Sequence, residues 1–241
     1  MLCLDLTCGS VAENLALDEA LLIEADAGRG QPVLRFWEPA EYALVLGASC
    51  RLADDARVDA CRADGVPILR RTSGGGTVIV GPGSLNVSVI LPESAAPGLS
   101  AVDKAHRYVL DWIAQSIRQA GAPVTLEGRG DLVLGDRKCG GSAQRRLKHW
   151  FMVHCSILYD FPIERIGRYL AIPLRQPDYR QGRDHHDFLS NLALPRNILK
   201  DAIRADRSSG PCSSRVPAMP SAIVESLLSE KFRNRDWIER L

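Results

Sequence analysis

The sequence predicts an α+β fold in which a mainly antiparallel sheet is flanked by helices. Three observations carry that reading. Segments of helical and of strand periodicity follow one another as helix, several strands, helix, several strands, helix. The links between strands are mostly of hairpin length, which suits antiparallel pairing and not the long crossovers of a wound parallel sheet. Leu85, Val87, Val89 and Leu91 alternate with small or polar residues, the period of two that marks a half-buried strand. The 241 residues suit one large domain, or one domain with an appendage. With 46% hydrophobic and 24% charged residues, the composition is that of a globular protein able to bury a substantial core.

Ser10 followed by Glu13 reads as a capping box, in which each side chain satisfies an amide of the first helical turn. The helix it opens places Leu15, Leu17, Leu21 and Leu22 at helical spacing and runs to about Ala27, where Gly28 and Gly30 end it. Val33–Trp37 and Ala43–Leu46 read as strands with Pro39 in the turn between them. Asp54–Arg62 reads as a short helix, and Val66–Arg71 as a strand that delivers two arginines to a glycine loop. Beyond the alternating strand, Ser94–Ser100 is a Pro/Gly loop, and Ser100 is placed to cap a helix. That helix carries Val102, His106, Val109, Ile113 and Ile117 on one face, with Gly121 at its C-terminal end. His106, on an apolar face, reads as a partly buried structural histidine.

Val124–Glu127, Asp131–Leu134, Lys138–Gln144 and Met152–Tyr159 complete the strands, and Ile163–Ala171 reads as a further helix. From Pro173 the texture changes. Arg175–Asp187 and Ser208–Pro220 are rich in Arg, Pro, Ser and Gly and read as loops. Met219–Phe232 reads as a terminal amphipathic helix with Ile223, Leu227 and Phe232 inward and Trp237 anchoring its end. Residues 1–205 thus form one expected domain, and 206–241 a linker and short helix too small to fold alone.

Net charge is +1, so no whole-molecule field favours nucleic acid or an acidic membrane, and any anion site must be local. No apolar run approaches the roughly 18 residues that suggest a membrane span. The N-terminus lacks the basic segment of a secretory signal. Seven scattered cysteines without CxxC spacing fit a cytoplasmic protein with reduced thiols better than a disulfide scaffold or a metal site.

Two stretches carry chemistry. Arg70–Leu91 reads RRTSGGGTVIVGPGSLNVSVIL. Gly74, Gly75 and Gly76 let the main chain approach a bound group, and successive amides in such a loop form an anion-binding concavity. Arg70 and Arg71 add fixed positive charge, and Thr72 and Ser73 add hydroxyls. The plain alternative is a glycine-rich turn without a ligand. The second stretch, Gly128–Arg146, reads GRGDLVLGDRKCGGSAQRR and sets Lys138 beside glycines that leave room for a ligand. Its plain alternative is a solvated surface lysine.

These two stretches, followed by HCSILYDF at His154–Phe161, resemble the catalytic domain shared by lipoate–protein ligases, octanoyltransferases and biotin–protein ligases, with the lipoate–protein ligase A type the nearest. ENLALDEALL and VLRFWEPAEYALVLGASC resemble that family's opening helix and first hairpin, so the resemblance runs from about Asn14 to Tyr159. RQPDYRQGRDHHDFLSNL resembles a subset of members. The implied fold is that of a class II aminoacyl-tRNA-synthetase/biotinyl-protein-ligase-like catalytic domain.

The implied reaction is a two-step acyl transfer. The carboxylate of lipoate or octanoate attacks the α-phosphate of ATP, with Mg2+, and the acyl-adenylate then acylates a lysine of a lipoyl carrier domain. The carrier is of the glycine cleavage H protein or 2-oxoacid dehydrogenase E2 type. The resemblance implies Lys138 as the catalytic cation, and Arg70, Arg71, Ser73, Gly74, Gly75, Gly76, Asp131, Gly141, Ser142 and His154 as the substrate and adenylate site. Val78, Val87 and Val89 could line an acyl tunnel.

The sequence also departs from the pattern. Val80 stands where members often have histidine, Gly130 where some have asparagine, and Cys155 where a glycine is common. The tail is short for the accessory domain of single-chain ligases, which implies a separate accessory subunit or an already activated acyl donor. The latter would make the protein an ATP-independent octanoyl- or lipoyl-transferase working through a cysteine. Cys139 and Cys155 are the candidates, although alternation sends each to the face opposite its neighbours Lys138 and His154; Ser84 is weaker still. A non-catalytic lipoyl-binding module is the remaining alternative.

Overall fold

A computed structural model describes residues 1–205, 212–216 and 219–241. The expected loop Ser208–Pro220 therefore lies partly outside the described residues. The chain opens on a strand that sequence periodicity did not signal, β1 (Leu2–Asp5), too short to show alternation. Helix α1 (Val11–Asp26) starts at the expected capping box, with Ser10 Oγ accepting from the Glu13 amide and the Glu13 carboxylate from the Ser10 amide, each at 3.2 Å.

Strands β2 (Val33–Trp37) and β3 (Ala43–Leu46) have the expected bounds, but they do not form a hairpin. β2 belongs to a seven-stranded sheet, and β3 is the centre of a three-stranded sheet between β4 (Ile68–Arg70) and β5 (Val78–Val80). Every residue of β2 and β3 is buried, so each needs cover on both faces, which a shared two-stranded ribbon would not provide. The single helix expected over Asp54–Arg62 is two, α2 (Leu52–Asp55) and α3 (Val58–Ala63), because Ala56 is extended and bridges to Leu170.

The large sheet continues with β6 (Ser84–Pro92) and, after α4 (Val102–Gln119), with β7 (Val124–Glu127), β8 (Asp131–Leu134), β9 (Arg137–Arg146) and β10 (Trp150–Leu158). Its order is β1-β2-β6-β10-β9-β8-β7. All neighbours are antiparallel except β1 and β2, which confirms the mainly antiparallel α+β class. Helix α4 begins at Ala101 without a side-chain cap, so Ser100 does not play the part its sequence position suggested.

The alternation of β6 divides the interior. Val87 and Val89 pack with Val109, Ile113 and Ile117 of α4, on one face of the large sheet. Ile90 faces the other way, against Leu17, Leu21 and Leu22 of α1. Val87 and Val89 are therefore core residues of the α4 side and line no tunnel on the α1 side. Helices α5 (Glu164–Tyr169) and α6 (His185–Phe188) follow, the latter inside the stretch read as loop. Helix α7 (Arg196–Ala205), which the sequence reading passed over, sets Leu199 and Ile203 into the α4 core.

Beyond it come α8 (Ser221–Leu227), a π-helical turn over Leu228–Phe232 and α9 (Arg235–Ile238). Leu227 and Phe232 are buried as expected, Ile223 only partly, and Leu228 joins them against Trp37, Val45 and Leu69. Cys212 is joined to Cys3, which corrects the expectation of reduced thiols throughout. A bridge between Leu4 and Ser213 brings these distant cysteines together. No helix among the described residues is long and apolar enough to cross a membrane.

Candidate active site

Arg70 ends β4 and Arg71 follows it, and the two side chains go to different surroundings. Arg71 is buried and threads the glycine loop. Its Nε donates to Ser73 Oγ at 3.0 Å, and its Nη2 donates to the carbonyls of Gly74 at 2.6 Å and Gly76 at 2.8 Å. Peptide planarity then fixes the amides of Gly75 and Thr77 away from the guanidinium. The three glycines are exposed, and among the described residues their amides donate to no other group. Gly75 has φ +82°, and a Cβ there would lie 3.0 Å from Arg71 Nη2, so glycine is required. The result is a loop whose carbonyls face an internal cation and whose free amides face outward, an arrangement suited to an anion.

Across the gap lies β9. A Cβ on Gly75 would sit 3.4 Å from Ala143 Cβ, which measures how closely the loop approaches that strand. Ser73 Oγ lies 2.6 Å from Nε2 of His154 on β10, opposite Ala143. With Arg71 donating to Ser73 Oγ, the hydroxyl can donate its hydrogen bond to His154 Nε2 in the tautomer that carries the ring proton on Nδ1. Burial first, then the charge of Arg71, pushes His154 down to about 3, so the ring is neutral at pH 7. Burial likewise lowers Arg71, to about 10, and it stays charged at pH 7.

Lys138 Nζ pairs with Asp131 Oδ1 at 2.7 Å, and the Tyr179 hydroxyl donates to Asp131 Oδ2 at 2.7 Å. A Cβ on Gly141 would lie 3.0 Å from Lys138 Cε and Nζ, so this glycine clears the path of the lysine. Ser142 Oγ donates to the Gly130 carbonyl at 2.7 Å and meets His106 Nε2 at 2.8 Å. A Cβ at Gly130 would fall 2.4 Å from Ser142 Oγ and 2.9 Å from His106 Cε1, which explains glycine at this position. His106 thus reaches a polar residue of β9 and is more than a core histidine.

Arg71, Ser73, Gly74–Gly76 and His154 therefore gather where the loop meets β9 at Ala143, with Lys138, Asp131 and Gly141 next along that strand, and the gap between loop and strand is the candidate cleft; the Ser142 side chain, in register with Cys155, turns to the α4 face. Arg70 does not join them. It is fully buried on the far side, donating from Nε to Ile238 O at 2.8 Å and from Nη1 to Cys50 O at 2.6 Å and Gly47 O at 3.0 Å. Its expected part in neutralising substrate is replaced by a part in holding backbone. Cys139 and Cys155 are buried on the α4 face. Burial pushes the Cys139 thiol up to about 12 and raises that of Cys155 as well, the reverse of an activated nucleophile. Ser84 is buried, its hydroxyl donating to Gly81 O at 3.1 Å. Val80 packs with Trp37 and Val45 and leaves no polar group where a histidine was expected.

The sequence reading missed Arg145. It lies two residues beyond Ala143 on β9, opposite Met152, and its buried Nε has no partner. Continuing the alternation Gly141, Ala143 one step further would have found it, but the strand was read as ending at Gln144.

Comparison with known proteins decides the family. The model of the lipoyl protein ligase A/B catalytic domain matches residues 10–205. The chain belongs to the lipoyl protein ligase A/B catalytic domain family. Within it, an Aeropyrum pernix protein assigned by name as a lipoate-protein ligase A is 33% identical over 69% of this chain and 60% of its own length. The chain thus spans about 60% of that relative. Octanoyltransferase LipM of Staphylococcus aureus is 33% identical over 94% of both chains. A crystal structure of lipoate-protein ligase A bound with ATP has the same fold, with a TM-score of 0.83 at 19% identity, over 100% of this chain and 99% of that one. The relatives within the family thus carry two names, lipoate-protein ligase and octanoyltransferase. The residues of the candidate cleft all lie within the matched range.

Proposed function

We propose that this enzyme activates lipoate or octanoate with ATP and transfers the acyl group to a lysine of a lipoyl carrier domain. The observation that carries this reading is the exposed Gly74–Gly76 loop, whose amides have no partner among the described residues and which closely approaches the strand bearing Lys138. In the first step a carboxylate oxygen of the acid attacks the α-phosphorus, and pyrophosphate leaves with the bonding pair. In the second, the carrier amine attacks the acyl carbon, AMP departs and the amine loses a proton. Both steps build negative charge on phosphoryl or acyl oxygens, where preorganised donors act most strongly.

The loop amides suit the α-phosphate. Lys138 has three N–H donors, of which Asp131 takes one, so two remain for substrate oxygens. Arg145, with its unpartnered Nε, suits the acid carboxylate or a phosphate oxygen. Mg2+ prefers one or two carboxylates together with phosphate oxygens, so it would travel with the nucleotide, with Asp131 the carboxylate beside Lys138. The carrier would be a glycine cleavage H protein or the E2 component of a 2-oxoacid dehydrogenase.

The likeness to octanoyltransferase LipM over nearly the whole chain favours a second reading, transfer from an acyl thioester without ATP. It needs an accessible thiol. Cys139 and Cys155 face away from the cleft, and Cys50, beside the loop with its Sγ 3.4 Å from Gly75 O, has its thiol raised by burial. The two readings part in one experiment. An apo lipoyl domain is incubated with lipoate and Mg·ATP, or with octanoyl-carrier protein and no ATP, and its mass is followed. Modification in the first mixture is expected; modification in the second alone would overturn the ligase reading.

A further inference from the structure

The side of the glycine loop away from the cleft is tied to the C-terminal tail by an unbroken set of contacts. Arg70 holds Ile238 O at 2.8 Å with one nitrogen and the carbonyls of Gly47 at 3.0 Å and Cys50 at 2.6 Å with another. Trp237 Nε1 donates back to Arg70 O at 3.0 Å. Arg240 lies 3.7 Å from the Trp237 ring and donates to Ala48 O at 2.7 Å. The segment 47–50 therefore presents its carbonyls to two arginines, one fixed by the tail and one belonging to it.

The same segment underlies the anion loop. The Ala48 amide donates to Ser73 O at 2.9 Å, and Cys50 Sγ donates to Gly75 O at 3.4 Å. A Cβ on Gly47 would lie 2.0 Å from Gly75 O, so the two backbones are in direct contact. Three consecutive glycines have more conformational freedom to lose than any other triplet. Apart from Arg71, what orders them comes from 47–50.

We propose that Trp237 and Arg240 are positioning residues of the active site, acting through Arg70 and segment 47–50 to set the shape of the anion loop. Docking of the tail and filling of the loop then stabilise each other, since a coupling between two binding events is reciprocal. The inference rests on the geometry of the loop, and one arm of its test is independent of the ligase reading.

The test compares the full chain, the Trp237→Ala, Arg240→Ala double variant and a chain ending at Asn234. Arg233→Ala serves as control, because it loses only the tail's ion pair to Glu13 on α1. Hydrogen exchange over residues 46–52 reports the Ala48–Ser73 bond. It is expected to speed up about tenfold in the double variant and the shortened chain, with β6 and β10 unchanged and the control like wild type. Affinity for Mg·ATP should fall by a similar factor, and saturating Mg·ATP should slow exchange of residues 235–241 in the full chain, a response a merely structural tail would not give. Wild-type exchange at 46–52 in the shortened chain would overturn the proposal; if that chain does not fold, the same result in the double variant does so. Absence of Mg·ATP binding to wild type would instead count against the ligase reading, and the exchange arm would still decide this one.

Discussion

Acid should weaken this fold through His154, and the sign and size follow from its surroundings. Burial, the Arg71 charge and then His106 hold the ring down to about 3, whereas an unfolded histidine titrates near 6.5. Between those values the unfolded chain carries a proton that the folded chain refuses. The contribution is thus intact above about pH 6.5 and is lost as pH falls towards about 3, at up to about 1.4 kcal/mol per pH unit. From pH 7 to 4.5 the loss reaches at most about 3 kcal/mol. His154→Gln removes the titration while keeping an amide that can meet Ser73 Oγ. Urea unfolding of both proteins at pH 7, 5.5 and 4.5 measures the difference. His106 and His185, also lowered by burial, titrate in both and cancel. The variant should lose up to about 3 kcal/mol less than wild type over that range. Parallel pH curves would refute the claim that the Ser73–His154 contact depends on a neutral ring.

Lys138→Ala should abolish carrier modification while circular dichroism and the unfolding midpoint stay near wild type, since the lysine is partly exposed; unchanged turnover would remove it from the mechanism. Cys139→Ala and Cys155→Ala should each keep transfer within about twofold while costing about 1 kcal/mol of stability from lost core packing. Loss of transfer in a stably folded cysteine variant would revive the thioester route. Gly75→Ala, which forces a Cβ to φ +82° and 3.0 Å from Arg71 Nη2, should destabilise by more than about 1 kcal/mol and raise the KM for ATP, read by calorimetry and steady-state kinetics.

Much of the frame was legible because its signals are local. The capping box at Ser10–Glu13 needs only two side chains and two amides, and Val33–Trp37, Ala43–Leu46, Val124–Glu127 and Asp131–Leu134 have the bounds that their patterns imply. What failed depends on partners far away in sequence. Nothing local distinguishes a turn at Pro39 that closes a hairpin from one that passes the chain to a second sheet. Alternation requires Arg70 and Arg71 to diverge, but which of them meets the cleft is decided by the tail at Ile238, some 168 residues on. His106 was assigned to a core by its helical face, and that face does reach the core. The ring also reaches Ser142 on β9, however, a contact that depends on a strand far along the chain.

The cations around the cleft divide by whether the protein already uses their donors. Arg71 is spent on Ser73 and on backbone carbonyls, turning the loop carbonyls inward, and Arg70 braces Ile238 and the 47–50 segment through Nε and Nη1 while its buried Nη2 has no partner. Their work is to expose amides, and neither charge is presented to solvent. Lys138 and Arg145 keep donors in reserve. Asp131 does not exhaust the lysine's donors, because its first oxygen occupies one of three N–H groups and its second is engaged by Tyr179. It instead fixes the direction of a long, flexible side chain that would otherwise lose rotamer freedom on meeting substrate. An anion entering this cleft meets neutral amides on one wall and aimed cations on the other. That division suits a group whose charge grows during the reaction, as the oxygens of an acyl-phosphate do, better than one that merely needs to be held.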